Sequence, residues 1–406
     1  MLKLGQPIKA DFPIFTQYPN LSYLDNAATT QKPKVVINSI TKYYQTTNAN
    51  IHRGVYKLSD SSTLAWYESR NTIASFFGAK PEELIITRNA TESINGVAYG
   101  WGLDNLRAGD VILTSVMEHH ANIVPWQELC KRTGAQLKFI PVLPTGQLDY
   151  EWLMDNLNKK VKLVAITYVS NVLGTVNDVT RVIDLAHEMG VRVLIDAAQA
   201  AAHLPINSRE LDADFLVFSG HKMYGPMGVG GLLVKKSLLD SDEFKPWLFG
   251  GGMIEAVSEN QATYQADPAD RFTAGTPDVA SAVGLAEACK FLSGLNISAV
   301  NSHDRELTAL TLKKLSLVKE IEIVGPTDST RLGSVAFIYQ GVHAHDVAQI
   351  LDSENIAARS GHHCCMPLHT RFGWQATTRV SFGVYNSPDD IDKLLAGLAK
   401  VKKVFG

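Results

Sequence analysis

Phe215-Leu216-Val217-Phe218-Ser219-Gly220-His221-Lys222-Met223-Tyr224-Gly225-Pro226 sets an apolar run directly against a lysine. Four consecutive large apolar residues, bounded by polar and glycine residues, read as a strand buried on both faces. Lys222 lies just past its end. Glycines at 220, 225, 228, 230 and 231 surround the lysine and predict a tight turn into a second, antiparallel strand over 228–234. A lysine at a buried strand end loses solvation, which disfavours its ammonium form and leaves an amine able to condense with an aldehyde. A surface lysine in a glycine-rich turn is the competing reading, and the rest of the chain decides between the two.

Outward from this stretch, short apolar runs alternate with helical patterns. Runs over 84–87, 111–115, 137–142, 161–169, 191–195, 215–219 and 228–234 read as strands, and 91–102, 122–133, 150–158 and 180–189 as helices. The alternation predicts an α/β fold: a mostly parallel sheet flanked by crossover helices. After Pro277 the texture changes. Helices over 279–295 and 304–318 precede strands over 320–324 and 334–339, then a helix over 344–355, strands near 356–359 and 378–383, and a helix over 388–404. That is a smaller α+β unit. The expected division is an N-terminal segment, 1–22, packed on the small unit, a large unit over 23–275, and a small C-terminal unit over 276–406.

Composition excludes several classes of protein. With 38 Lys and Arg against 41 Asp and Glu, the net charge of −3 offers no basic face to a nucleic acid or an anionic membrane. The apolar run at 161–169 is among the longest, contains Lys162 and Thr167, and is far shorter than a membrane span. Residues 1–15 lack the apolar core of a signal peptide. Four cysteines, of which only Cys364 and Cys365 are close in sequence, do not form a disulfide framework. The expectation is a reduced, cytoplasmic protein with no nucleic-acid or membrane partner.

In an open α/β sheet, ligands bind outside the carboxyl ends of the strands. The notable polar residues occupy those ends: Thr91 and Glu92 after 84–87, His119, His120 and Asn122 after 111–115, and Asn171 after 161–169. Asp196 and Gln199 follow 191–195, and Lys222 follows 215–219. Only the run at 137–142 delivers nothing. These groups match the needs of pyridoxal 5'-phosphate (PLP), the commonest aldehyde cofactor held by a lysine. Asp196 ends an apolar strand, where an unpaired carboxylate is costly, and a pyridinium nitrogen would satisfy it. Thr91, Ser219 and His221 can donate to a phosphate, Gln199 can reach the ring hydroxyl, and His119 can stack on the ring and shuttle protons. The competing readings are helix caps for Asp196, Thr91 and Ser219, and a satisfied structural histidine for His119.

The C-terminal unit adds Arg379, in the apolar run Thr377-Thr378-Arg379-Val380-Ser381-Phe382, with fork geometry suited to a carboxylate. It also adds Arg359-Ser360-Gly361-His362-His363-Cys364-Cys365-Met366-Pro367. A metal site is disfavoured, because no second cluster with ligand spacing exists. A buried, inert cysteine pair competes with a flexible, hydrated loop in which Arg359 and the histidines favour thiolate.

At this point the chain resembles the cysteine desulfurases of the PLP fold type I, class V aminotransferase-like superfamily, and in particular the group II (SUF-type) enzymes and their selenocysteine lyase relatives. The resemblance covers nearly the whole chain. It is carried by Tyr23-Leu24-Asp25-Asn26-Ala27-Ala28-Thr29, Thr87-Arg88-Asn89-Ala90-Thr91-Glu92, His119-His120-Ala121-Asn122-Ile123-Val124-Pro125-Trp126, Asp196-Ala197-Ala198-Gln199, the Lys222 stretch, Ala274-Gly275-Thr276-Pro277 and Gly361-His362-His363-Cys364. It implies that Lys222 carries PLP as an imine and acts as acid and base at the substrate carbon. Asp196 pairs with the ring nitrogen, Gln199 lies near the ring hydroxyl and His119 stacks on the ring. Thr91, Ser219 and His221 bind phosphate, helped by Thr276 from the neighbouring subunit of a homodimer. Asn171 and Arg379 hold the substrate's carboxylate side, with Arg359 beside the reactive loop. Cys364 takes the sulfur of L-cysteine as a persulfide, alanine leaves, and a small acceptor protein carries the sulfur to iron–sulfur cluster assembly. A selenocysteine lyase is the alternative. The residue after the reactive cysteine is commonly alanine in this branch, whereas here it is Cys365; neighbours in an extended segment point opposite ways, so one of the pair should face PLP, and Cys364 is the expected one. Ala90 stands where some relatives carry a hydroxyl residue.

Overall fold

Alternating side chains sort the strands of the main sheet onto two apolar faces. Leu163, Ala165, Leu194, Phe215 and Val217 pack on one side. Val164, Ile166, Val193 and Ile195 pack on the other, as do Leu216 and Phe218. A sheet buried on both faces needs near-continuous apolar strands, which is what the sequence supplies. The computed structural model describes residues 4–405, so residues 1–3 of the expected N-terminal segment and Gly406 of the small unit lie outside the described residues.

The main sheet contains β1 (Leu84–Thr87), β2 (Val111–Ser115), β3 (Gln136–Ile140), β4 (Val161–Thr167), β5 (Arg192–Asp196), β6 (Phe215–Ser219) and β7 (Gly230–Val234). Their order is β1-β7-β6-β5-β4-β2-β3. β7 runs antiparallel to both its neighbours and the remaining pairs are parallel. The α/β class, the mostly parallel sheet and its one reversed strand are as expected from sequence. β1, β2, β4, β5 and β6 therefore present their carboxyl ends along one edge.

Two helices, α1 (Lys34–Thr46) and α2 (Lys57–Phe76), are not anticipated by the sequence pattern. In α2 the buried face mixes Trp66, Ile73 and Ala74 with Ser59, Ser62 and Ser69, so burial there does not follow hydrophobicity. The expected helix at 91–102 is α3 (Ala90–Val97) running into a wide π turn over 98–102. Crossovers α4 (Val124–Thr133), α5 (Tyr150–Asn156) and α6 (Val179–Glu188) follow. Helix α7 (Val279–Leu295), beyond the expected boundary at 276, packs against α1 and α2. Its Gly284 admits Ile40 so closely that an added Cβ would stand 2.8 Å from the isoleucine side chain.

A second, antiparallel sheet contains β8 (Ile321–Val324), β9 (Ser334–Tyr339), β10 (Arg359–Gly361) and β11 (Thr377–Ser381), in the order β8-β9-β11-β10. Helices α8 (Ile297–Leu315), α9 (Ala344–Ser353) and, after the short α10 (Met366–Phe372), α11 (Pro388–Phe405) complete this unit. Leu312, Phe337, Leu351 and Leu398 share its core. Gly5 donates to the Val384 carbonyl at 2.7 Å, Lys9 pairs with Asp390 at 3.2 Å, and Phe12 meets both Tyr385 and Tyr224 edge-on. Residues 5–12 thus touch both units. Among the described residues, no single helix is long and apolar enough to cross a membrane.

Gly230 opens β7 between β6 and the start of α3, where a Cβ would lie 2.5 Å from the Phe218 carbonyl oxygen and 2.8 Å from Asn89 Cα. Both neighbours are backbone and cannot rotate away. Gly230→Ala should lower stability by about 2 kcal/mol, read as an earlier urea midpoint with an unchanged slope.

Candidate active site

The carboxyl edge of the main sheet faces β10 and β11 across a cavity of about 320 Å³. Thr91, His119, Asn171, Asp196, Ser219, His221 and Lys222 line it from the large sheet, and Arg359, Cys364 and Arg379 from the small one. Two expected residues stand elsewhere. Gln199 lies behind the wall, its amide nitrogen donating to the Ala27 carbonyl at 2.7 Å. Thr276 sits in a separate surface cleft with His52 and Arg53, 3.3 Å from Asn50 Oδ1.

Burial dominates the electrostatics. Lys222 ends a 3₁₀ turn after β6, and burial lowers its pKa while the Asp196 carboxylate opposes that shift. Asp196 is the last residue of β5; burial raises its pKa, against the Ala198 N–H, which donates to Oδ1 at 2.9 Å, and against Lys222. His119 accepts from Ala121 N at Nδ1 (3.1 Å), which assigns the proton of the neutral ring to Nε2. Burial, followed by Lys222, pushes its pKa down to about 3. His221 is pushed down to about 4 by burial, then by Lys222 and Lys32.

At the start of α3, Asn89 accepts from Glu92 N at 3.0 Å, and Ala90 N donates to Ser219 Oγ at 2.9 Å. The Ser219 hydroxyl proton remains available beside Thr91 and the helix N-terminus, a setting that favours a phosphate. This donor set fits PLP. Asp196 Oδ2 has no donor among the described residues and can take a ring nitrogen, and the desolvated amine of Lys222 can take the aldehyde.

The reactive segment is a pinned turn, and neither of the two readings left open for it, a buried inert cysteine pair or a flexible hydrated loop, describes both cysteines. Gly361, His363 and Cys364 all have positive φ (115°, 51° and 58°), and two of the three are not glycine. Asn171 Nδ2 donates to the His363 carbonyl at 2.8 Å and His120 N to the Cys364 carbonyl at 2.7 Å. α10 begins at Met366, immediately after the turn. The two cysteines point apart. Cys364 is exposed at the cavity, whereas Cys365 is fully buried, its Sγ 3.2 Å from the Glu118 carbonyl and 3.1 Å from Asn171 Oδ1. Burial pushes the Cys365 thiol pKa well up, so it stays protonated.

Sequence reasoning missed several residues here. Arg359 and Arg379 face each other across the β10–β11 register, an arrangement that repels. Asp25 relieves it: Arg359 Nη2 reaches its Oδ2 at 2.9 Å and Arg379 Nη2 its Oδ1 at 3.1 Å. Arg379 also donates to the Asn171 carbonyl at 2.9 Å and keeps a buried Nε without a partner. Asp25 belongs to the Tyr23–Thr29 motif, but nothing in its sequence neighbourhood announces two arginines more than 300 positions away. His363 lines the cavity as a neutral ring, held by Thr377 Oγ1 at 2.9 Å. Glu118 is fully buried between the Ser115 hydroxyl (2.5 Å) and the Asn122 amide (2.8 Å).

A model of the aminotransferase class-V family matches residues 22–394, and the chain belongs to that family. A cysteine desulfurase of Escherichia coli O127:H6 is 43% identical over 403 residues, covering 98% of each chain. The apo structure of a cysteine desulfurase from Thermococcus onnurineus NA1 superposes with a TM-score of 0.95 at 37% identity, covering 99% of both chains. The E. coli cysteine desulfurase CsdA does so with 0.91 at 34%, covering 98% of both. The resemblance read from the sequence motifs is therefore borne out at the level of the family, and the fold is that of these enzymes.

Burial, reinforced by Asp196, raises the Glu118 pKa to about 8, above the 4.5 of a free carboxyl. Between those values the folded state binds more protons than the unfolded one, so this group lowers stability as pH rises through the window. Glu118→Gln should remove that slope: close to the parent at pH 5 and more stable than it at pH 9, measured by urea denaturation at both.

Proposed function

We propose that the chain is a PLP-dependent L-cysteine desulfurase that moves the sulfur of L-cysteine onto Cys364 and releases L-alanine. The observation that carries this reading is the convergence of a desolvated amine, Lys222, and an exposed thiol, Cys364, on one cavity from two different sheets. Balance is simple: L-cysteine and the Cys364 thiol become L-alanine and a Cys364 persulfide. PLP, when bound, supplies an electron sink that weakens bonds at the substrate's α- and β-carbons. Asp196 would hold the proton on the ring nitrogen, Thr91, Ser219 and His221 would hold the phosphate, and Gln199 would serve the ring hydroxyl from behind the Ala27 wall. The neutral His119 ring, which lines the cavity, would pack on the cofactor. Arg379, Asn171 and Arg359 orient the substrate carboxylate. Lys222, lowered by burial, takes and returns a proton at the substrate Cα. Cys364 Sγ, as thiolate, forms an S–S bond with the substrate sulfur as the Cβ–S bond breaks; the bonding pair stays with carbon and picks up a proton.

The same reading extends beyond one chain. Thr276, distant from its own chain's cavity, completes the phosphate site of the neighbouring subunit in a homodimer. The exposed Cys364 hands its sulfur to a small acceptor protein for iron–sulfur cluster assembly, in the reducing cytoplasm that keeps the four free cysteines reduced. The His119–Trp126 and Gly361–Cys364 strings favour group II. We read the chain as divided into 1–22, 23–275 and 276–406, with α7, although beyond the boundary at 276, docked on α1 and α2 of the large unit.

Mass spectrometry after L-cysteine treatment should place one added sulfur atom on Cys364. Cys364→Ser should keep the visible cofactor band and lose at least a hundredfold in alanine formation, whereas Lys222→Ala should lose the band. Sulfur found on Cys365, or desulfuration that survives Cys364→Ser, overturns the nucleophile assignment. Strong selenocysteine turnover without Cys364 would favour a selenocysteine lyase.

A further inference from the structure

Lys32 is a half-buried cation with only neutral partners. Its Nζ donates to the carbonyl oxygens of Thr30 at 2.6 Å and His221 at 2.8 Å, and lies 3.5 Å from Thr30 Oγ1. Among the described residues no carboxylate pairs with it, and burial pulls its pKa down to about 7. An ammonium partly withdrawn from water without a counter-ion must be compensated by hydrogen bonds, and where those bonds go assigns their purpose.

The His221 carbonyl shows what that purpose is. It also receives Thr30 N at 3.1 Å, Thr29 Oγ1 at 3.0 Å and Thr30 Oγ1 at 3.2 Å. Four donors crowd an oxygen with two lone pairs, and Lys32 makes the shortest contact and the one that can carry charge. Thr30 Oγ1 is also engaged by Tyr224 N at 2.9 Å, on the far side of Lys222. The clamped carbonyl belongs to the peptide that joins His221 to Lys222. Holding it fixes the plane from which both side chains enter the cavity.

We infer that Lys32 is a positioning residue, which clamps the His221–Lys222 peptide and so sets the aim of the Lys222 amine and the His221 ring. The inference rests on Lys222 being the lysine that carries the cofactor. A displacement well below 1 Å is enough to matter, since a shift of about 1 Å at a reacting group can cost about a hundredfold in rate.

The test compares Lys32→Met, Lys32→Arg and the parent, each loaded with PLP. Lys32→Met should keep the visible absorbance band and the melting temperature, while the circular dichroism of that band falls at least twofold. Its kcat should fall about tenfold with KM for L-cysteine within about twofold. Lys32→Arg, which restores a charged donor, should recover most of both losses. Unchanged dichroism and kcat in Lys32→Met would overturn the inference, as would Lys32→Arg being as impaired as Lys32→Met. If Lys32→Met does not fold, Lys32→Gln is read by the same criteria. A parent without a visible band, or a Lys222→Ala variant that keeps it, would instead refute the reading of Lys222 itself.

Discussion

Lys222 and Asp196 face one cavity between the two sheets, and desolvation favours the neutral form of each while each stabilises the charge of the other. Neither group is tolerable there alone. A carboxylate at the end of an apolar strand and a lysine one turn beyond the next strand require either a partner or a ligand of opposite charge. The parallel pairing of β5 with β6 forces the two to the same sheet edge. The rest of the cavity is arranged around that edge: the N-terminus of α3 with Ser219, the neutral rings of His119 and His221, and the donors gathered on the His221 carbonyl.

The small sheet closes this arrangement and brings a different chemistry to it. Its cross-strand Arg359 and Arg379 are compatible only because Asp25, from the N-terminal part of the chain, stands between them. That triad ties the start of the chain to β10 and β11 and places the following turn over the cavity. In the turn, Asn171 and His120 hold successive carbonyls of a backbone with two non-glycine residues at positive φ. The buried Cys365 thiol anchors the far side. One cysteine is thereby held inert, and its neighbour is left free to react.

Much of this was legible in the sequence because parallel strands are punctuated in a fixed way. An apolar run followed at once by polar or glycine residues marks a strand end, and in a parallel sheet those ends coincide in space. Thr91, His119, Asn171, Asp196 and Lys222 could be grouped on that ground alone. Helix α2 could not be foreseen, because it buries serines as well as Trp66 and so lacks a clean apolar stripe, whereas the stripe of α1, Val36, Ile40 and Tyr43, was there to be read. For the turn at 361–367 the sequence left a buried cysteine pair and a hydrated loop both open, since histidine and cysteine side chains reveal nothing about the carbonyl contacts that pin them. Asp25, Glu118 and Lys32 escaped notice because their partners are distant in the chain or are backbone atoms.

By itself, the sequence determined the α/β class, the reversed strand after the Lys222 turn, and the set of polar groups along one sheet edge, since these follow from local periodicity and chain direction. Only the tertiary structure decided which cysteine faces the cavity, which carboxylate reconciles two opposed arginines, and which donors crowd the carbonyl next to Lys222. Those outcomes depend on direction and distance between residues far apart in sequence, and on burial, which changes the charge a group carries without changing its identity.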